Sequence, residues 1–329
     1  MMKQLNKTNL GWLILIALMA AVLFIGVSTN IISPFYQITL VTIMINIILA
    51  IGLNLVIGFS GQFSLGHAGF MAIGAYSGAI IGDVMEGLSG FFVGLIVGMI
   101  ISIIVALIVG IPTLRLKGDY LAIATLGVAE IIRILILNMG ELTNGARGIS
   151  GISFPFESNT SFIMVLFVIL IVTTIITVNY INSSPGRATI AIREDEIAAE
   201  SMGVNATTYK VIAFMIGAAT ASIAGSMYGT YFSVINPSDF TFQKSIDVLI
   251  IVVFGGIGSV TGTIVAAVVL GVLNTYLQSF GELRMIFYSL AIIAIMVFRP
   301  GGLLGNREFT MSSLLKRFAK KDSAKKEVQ

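Results

Sequence analysis

The stretch SSPGRATIAIREDEIAAESMGVNATTYK, residues 183–210, is the one long polar, charge-dense block in a chain that otherwise reads as membrane-spanning from about residue 10 to residue 300. After Arg193 come Glu194, Asp195, Glu196 and Glu200 in close succession. Ser184 suits an N-cap and Pro185 a first helical residue. Acidic side chains in a first turn complement the helix dipole. Ala198 and Ala199 favour helix, and Gly203 stands where a helix closes in left-handed conformation. The expectation is a short capped helix over residues 194–202, ended by Gly203. It is either a solvated loop helix or something for a partner to hold.

Around this block, 57% of the 329 residues are hydrophobic and only 11% are charged. Soluble domains carry roughly 25% charged residues, so a soluble α/β fold fits poorly. Apolar runs of the ~20 residues needed to cross a ~30 Å hydrocarbon core recur along the chain. The ~10-residue alternation of a membrane β-barrel is not visible. The fold class is therefore an all-α polytopic membrane protein. Spans are expected near 10–29, 36–57, 63–82, 91–112, 118–138, 161–180, 209–232, 245–257, 262–279 and 284–298, about ten in all.

The run from Leu10 to Val27 exceeds the 7–15-residue core of a signal peptide and reads as a first span. Lys3 and Lys7 precede it, and Lys316, Arg317, Lys320, Lys321, Lys325 and Lys326 follow the last. Basic residues gather on the cytoplasmic side. Both termini are thus expected inside, with the Arg115–Lys117 turn and the 183–210 block. The loops at 83–86 and 139–160 fall outside. The expected organisation is a cytoplasmic N-terminus at 1–9, a transmembrane domain at 10–300 with a cytoplasmic loop at 181–208, and a basic tail at 301–329.

Composition also excludes chemistry. With no cysteine and His67 as the single histidine, thiol catalysis, cysteine metal sites and His-rich proton relays have no residues to work with. The basic residues mark topology rather than a nucleic-acid patch. No Gly-Lys dipeptide occurs, so the usual phosphate-binding loop is missing. ATP is bound by another subunit or is not used.

The string GRATIAIREDEIAAESMGVNATTYKVIAF, residues 186–214, resembles the cytoplasmic loop of bacterial branched-chain amino-acid ABC permeases, LivM-like branch. Glu196, Ala198, Ala199 and Gly203 also match the looser E-x-A-A-x-x-x-G pattern of importer permeases. The segments at 52–79, 115–138, 142–152 and 254–271 are similar to further family segments, in the expected order. The resemblance implies a coupling helix drawn from Arg193, Glu194, Asp195, Glu196, Ala198, Ala199 and Gly203, docked on an ATPase. It implies a LivH-like permease partner, two ABC ATPase subunits carrying ATP and Mg, and an extracytoplasmic amino-acid-binding protein. It implies leucine, isoleucine and valine as substrates in a bacterial plasma membrane. No cofactor or catalytic residue is implied in this chain. Nucleotide closure would move the coupling helix and tilt the bundle between outward-open and inward-open states.

Other residues carry lesser signals. In GQFSLGHAGF, Gly61, Gln62, Ser64, Gly66, His67 and Gly69 suggest an interrupted helix whose ends line a translocation path, or else a tight turn with a structural histidine. FSGQFSLG at 59–66 resembles FGGIGSVTG at 254–262, a repeat or a chance likeness of glycine-rich turns. Glu130 and Arg133, three residues apart inside a span, face one side of a helix and can pair. Thr143, Asn144, Gly145 and Gly148 form a polar outer loop, either a docking surface for the binding protein or a connector. Asn46, Asn54, Asn274 and Gln278 are placed to bond between helices. A permease for another small solute, such as urea, is an alternative, as is a self-contained secondary transporter.

Overall fold

The structure, a computed structural model, describes residues 2–29, 31–85 and 87–283, with scattered positions from 286 to 308. The expected tenth span, 284–298, and the basic tail fall largely or wholly outside the described residues. In chain order the α-helices are α1 (Met2–Ser28), α2 (Pro34–Asn54), α3 (His67–Val84), α4 (Gly87–Thr113), α5 (Asp119–Asn138) and the single turn α6 (Gly140–Thr143). They continue with α7 (Asn159–Asn182), α8 (Ser184–Glu194), α9 (Glu196–Ser201), α10 (Ala206–Phe232), α11 (Phe242–Gly255) and α12 (Val260–Leu277).

Six helical segments among the described residues are long and apolar enough to cross a membrane: 34–59, 87–113, 119–138, 159–182, 206–232 and 260–281. α11 has 14 residues, ~21 Å at 1.5 Å per residue. α3 dilutes its apolar run with Gly69, Gly74, Gly78, Gly82 and Asp83. Both nevertheless pack among the long helices.

α2 and α10 form the middle of the bundle, with α3 and α4 against α10. Without a hydrophobic drive between helices in lipid, close backbone approach must supply the attraction. A Cβ on Gly74 would lie 1.9 Å from the Ser222 carbonyl oxygen, and one on Gly225 1.9 Å from that of Met71. The Ser226 hydroxyl donates to the Gly74 carbonyl at 2.9 Å. α4 turns Phe92, Ile96, Ile100, Ile104 and Ile108 outward, a stripe with the spacing of a lipid-facing helix side.

One end of the bundle carries α8 and α9. The opposite end carries the short antiparallel pair β1 (Ile149–Ser150) and β2 (Val234–Ile235), over a cluster of Phe154, Phe156, Phe162 and Tyr231 rings. The block at 183–210 and the loop at 139–160 thus lie at opposite ends.

Candidate functional site

The polar block folds as two helices, not one. Ser183 rather than Ser184 is the N-cap of α8, its hydroxyl accepting from the Gly186 amide at 3.2 Å. α8 runs to Glu194. Asp195 then leaves helical conformation (φ −154°, ψ 105°) and caps α9, accepting from the Ala198 amide at 3.0 Å. A six-residue α9 follows. Gly203 closes it at φ +84°. The Gly203 amide donates to Glu200 at 2.9 Å and the Val204 amide to Ala199 at 3.1 Å, the paired bonds of a Schellman end. Ala199 is buried with Ile192 and Ala206 in a small separate core.

What α9 shows to solvent is apolar as well as acidic. Ile197 is 77% exposed and Met202 85%. Glu196 turns inward instead. It pairs with Lys210 of α10 at 2.7 Å and with Lys117, in the α4–α5 turn, at 2.9 Å. These contacts, Lys210 first, hold its carboxyl below the ordinary value of 4.5. Glu196 therefore roots α9 to the bundle.

Arg193 also turns inward. Its Nε donates to the Glu194 carboxylate at 3.0 Å, and its Nη1 donates to the Gly58 carbonyl at 2.5 Å. That carbonyl belongs to the first of two helix breaks. Beyond α2 the chain winds through a π-helical turn, Leu55–Phe59, and residues 61–66 are not helical. α3 therefore begins at His67, four residues later than the apolar run suggests. The second break separates α11 from α12 at residues 256–259.

The two breaks touch. Asn54, fully buried, donates from Nδ2 to the Ser259 carbonyl and to Thr263 Oγ1, both at 2.9 Å. Its Oδ1 accepts from the Gly258 amide at 2.9 Å. The FSGQFSLG and FGGIGSVTG stretches are thus two helix interruptions at one end of the bundle, in contact. The second is also held from beyond α12. The Leu303 amide donates to the Phe254 carbonyl at 2.8 Å, and the Glu308 carboxylate accepts from the Val260 amide at 2.6 Å.

Between the first break, the α4–α5 turn and α8–α9 lies a cavity of about 220 Å³, bordered by Ser60, Gln62, Lys117, Arg193, Glu196 and Lys210 among others. Of the expected path residues, Gly61 and Gln62 reach it. Gln62 donates to the Lys210 carbonyl at 3.0 Å. Gly66 and Gly69 instead permit contact with α5: a Cβ on either would lie under 3 Å from the backbone of Thr125 (2.9 Å) or Ala129 (2.8 Å). Ser64 and His67 are buried, at 3% and 4% exposure, and neither borders the cavity. Two amides of the first α3 turn are engaged, that of Ala68 by Ser245 Oγ at 3.0 Å and that of Gly69 by the Gly66 carbonyl at 3.2 Å.

In the opposite loop, Thr143 is buried and donates to the Ile136 carbonyl at 2.6 Å. Gly145 and Gly148 are buried as well, and Gly148 abuts the Ile235 carbonyl. Asn144 alone of the four is exposed. Glu130 and Arg133 pair on α5, Nε lying 3.0 and 3.1 Å from the two carboxylate oxygens. Asn46 accepts from Lys244 at 3.2 Å. Among the described residues, no His, Asp and Glu group could hold a metal ion.

The bundle, its small-residue seams and its interrupted helices define a multi-pass membrane protein. Residues 35–296 match the family model described as branched-chain amino acid transport system / permease component. The chain belongs to that family. It is 38% identical over 290 residues to the high-affinity branched-chain amino acid transport system permease protein LivM of Salmonella typhimurium, covering 79% of this chain and 68% of that protein. Identity to LivM of Escherichia coli K12 is 37% over the same shares. Identity to LivH of Salmonella typhimurium is 27% over 288 residues, covering 79% and 91%. The expected LivM-like resemblance holds. No solved structure matches the chain.

Proposed function

We propose that this chain is a pore-forming permease subunit of an ATP-driven importer of branched-chain amino acids, paired with a LivH-like permease. Two ATPase subunits bind ATP and Mg, and an extracytoplasmic protein delivers substrate. The chain crosses the bacterial plasma membrane about ten times, with both termini and the α8–α9 end in the cytoplasm and the β1–β2 end outside. The translocation path borders Gly61 and Gln62, and Asn144 belongs to the docking face for the binding protein.

The observation that carries this reading is α9. A short helix outside the apolar bundle leaves Ile197 and Met202 exposed while salt bridges root it from beneath. Exposed apolar side chains rimmed by Glu194, Asp195 and Glu200 mark a contact surface, and here the occupant is an ATPase. The four kinds of subunit, reconstituted in proteoliposomes with ATP inside, should take up leucine. Uptake by this chain alone down an ion gradient would replace the proposal with a secondary transporter.

A further inference from the structure

Arg193 lies at the surface, yet one arm of its head group reaches into the protein. The fork of Arg193 is divided. Nε and Nη2 hold Glu194 on its own helix, and Nη1 holds the Gly58 carbonyl in the first break. The stem passes Gly61, where a Cβ would lie 2.8 Å from Arg193 Cγ. The same Nη1 lies beside the second break, 3.2 Å from where a Cβ on Gly258 would stand. Glycine at these positions leaves room for one side chain to reach both breaks, and Asn54 already ties the breaks to each other.

Gly58 sits at the C-terminal end of a helix, where carbonyls lack helical partners and a cation is favoured. A charge-assisted bond there is shorter and stronger than a neutral one. Arg193 is also the next-to-last residue of α8, two positions before the non-helical Asp195. Glu196 ties α9 to α10 and to the α4–α5 turn, whereas Arg193 ties the same corner to the breaks.

We propose that Arg193 is the link through which the α8–α9 unit moves the paired helix breaks, so that they shift as one body when the loop shifts. This rests on the proposed docking of α9 on an ATPase. It differs from that reading in assigning Arg193 an inward role and no contact with the ATPase. Gln62 and the Lys210 carbonyl brace the first break against α10 without a formal charge.

The test uses the complete transporter in proteoliposomes, measuring leucine moved per ATP hydrolysed. Arg193→Gln should lower that ratio about tenfold or more, the scale of a site-to-site coupling. Arg193→Lys, with a charge but no fork, should fall between. In hydrogen exchange, nucleotide should alter protection at 194–203 and 56–62 in the natural protein, and only at 194–203 in Arg193→Gln. An unchanged ratio in Arg193→Gln overturns the proposal. If that variant does not assemble, an unchanged ratio in Arg193→Lys does so, and failure of both to assemble assigns Arg193 to folding and also overturns it. If the natural chain recruits no ATPase, the docking reading fails instead.

Discussion

Asn54 Oδ1 accepts the Gly258 amide at 2.9 Å across more than two hundred residues of chain. The same side chain holds the Ser259 carbonyl and Thr263 Oγ1, so one residue satisfies three polar groups where two helices are interrupted. Interrupted backbone inside a helical bundle is tolerated when its freed groups find partners within the protein.

Replacing Asn54 by Leu keeps the volume and removes all three bonds. The half-buried Gly258 amide then loses its partner, whereas the Ser259 carbonyl keeps the Thr263 amide at 3.1 Å and the Thr263 hydroxyl at 2.8 Å. A buried unpartnered group costs about 1–3 kcal/mol. A thermal melt of the purified protein in detergent should show a clear drop in midpoint. An unchanged midpoint would show that the breaks are held by other contacts.

The spans were legible because an apolar run records helix length directly, and 34–54 or 159–182 lie within a few residues of expectation. The start of α3 was not, since residues 63–66 continue the same mix of apolar and small residues as the helix itself. The chain there turns to meet Thr125: the Leu65 amide donates to its hydroxyl at 3.0 Å. Asp195 carried a visible cap signal, acidic and ahead of a helix-favouring run, yet inside one acidic patch it read as part of a single helix. The inward turn of Arg193 and Glu196 depended on Gly58, Lys117 and Lys210, partners that no local pattern reveals. Asn54 read as an interhelix bonder without its target. Glu308 carried no signal in the sequence.

Glycines along α3 and α10 are not equivalent. A Cβ on Gly225 would lie 1.9 Å from the Met71 carbonyl oxygen, whereas one on Gly82 meets nothing within 4 Å. Gly225→Ala must therefore push α3 and α10 apart, and folded yield in detergent should fall sharply. Gly82→Ala should be tolerated or mildly stabilising, by up to about 1 kcal/mol, because alanine favours helix over glycine. Size-exclusion profiles of the two variants compare them directly, and equal behaviour would contradict the packing described.

The Glu196 pairing sets a pH dependence. Its carboxyl is held below the ordinary 4.5, chiefly by Lys210 and further by Lys117. A carboxyl lowered on folding adds stability that is present above its unfolded value and is lost as pH falls through the folded one. Amide exchange across 195–203 should thus be slow at neutral pH and quicken as pH drops below about 4.5. Glu196→Gln should exchange quickly at neutral pH already, with a flatter acid response. A natural protein whose exchange, corrected for intrinsic rates, ignores this window would remove Glu196 as the root of α9.

Ile197 and Met202 test the outer face of the same helix. Both are exposed, at 77% and 85%, so Ile197→Asp and Met202→Asp leave the fold little changed, within about 0.5 kcal/mol. Buried in a partner groove, however, each apolar side chain contributes ~1.5–3 kcal/mol, and an aspartate there adds a desolvated charge. Co-purification of the ATPase subunits should fall at least about tenfold, since every 1.4 kcal/mol is tenfold in affinity. The amount of each variant in the membrane should match the natural chain. Gly203→Arg should act differently. A left-handed residue at φ +84° resists any side chain, so α9 loses its closing bonds and exchange across 195–203 rises along with the loss of the partner. Aspartate variants that keep their ATPase and their ATP-driven leucine uptake would show that α9 docks on nothing.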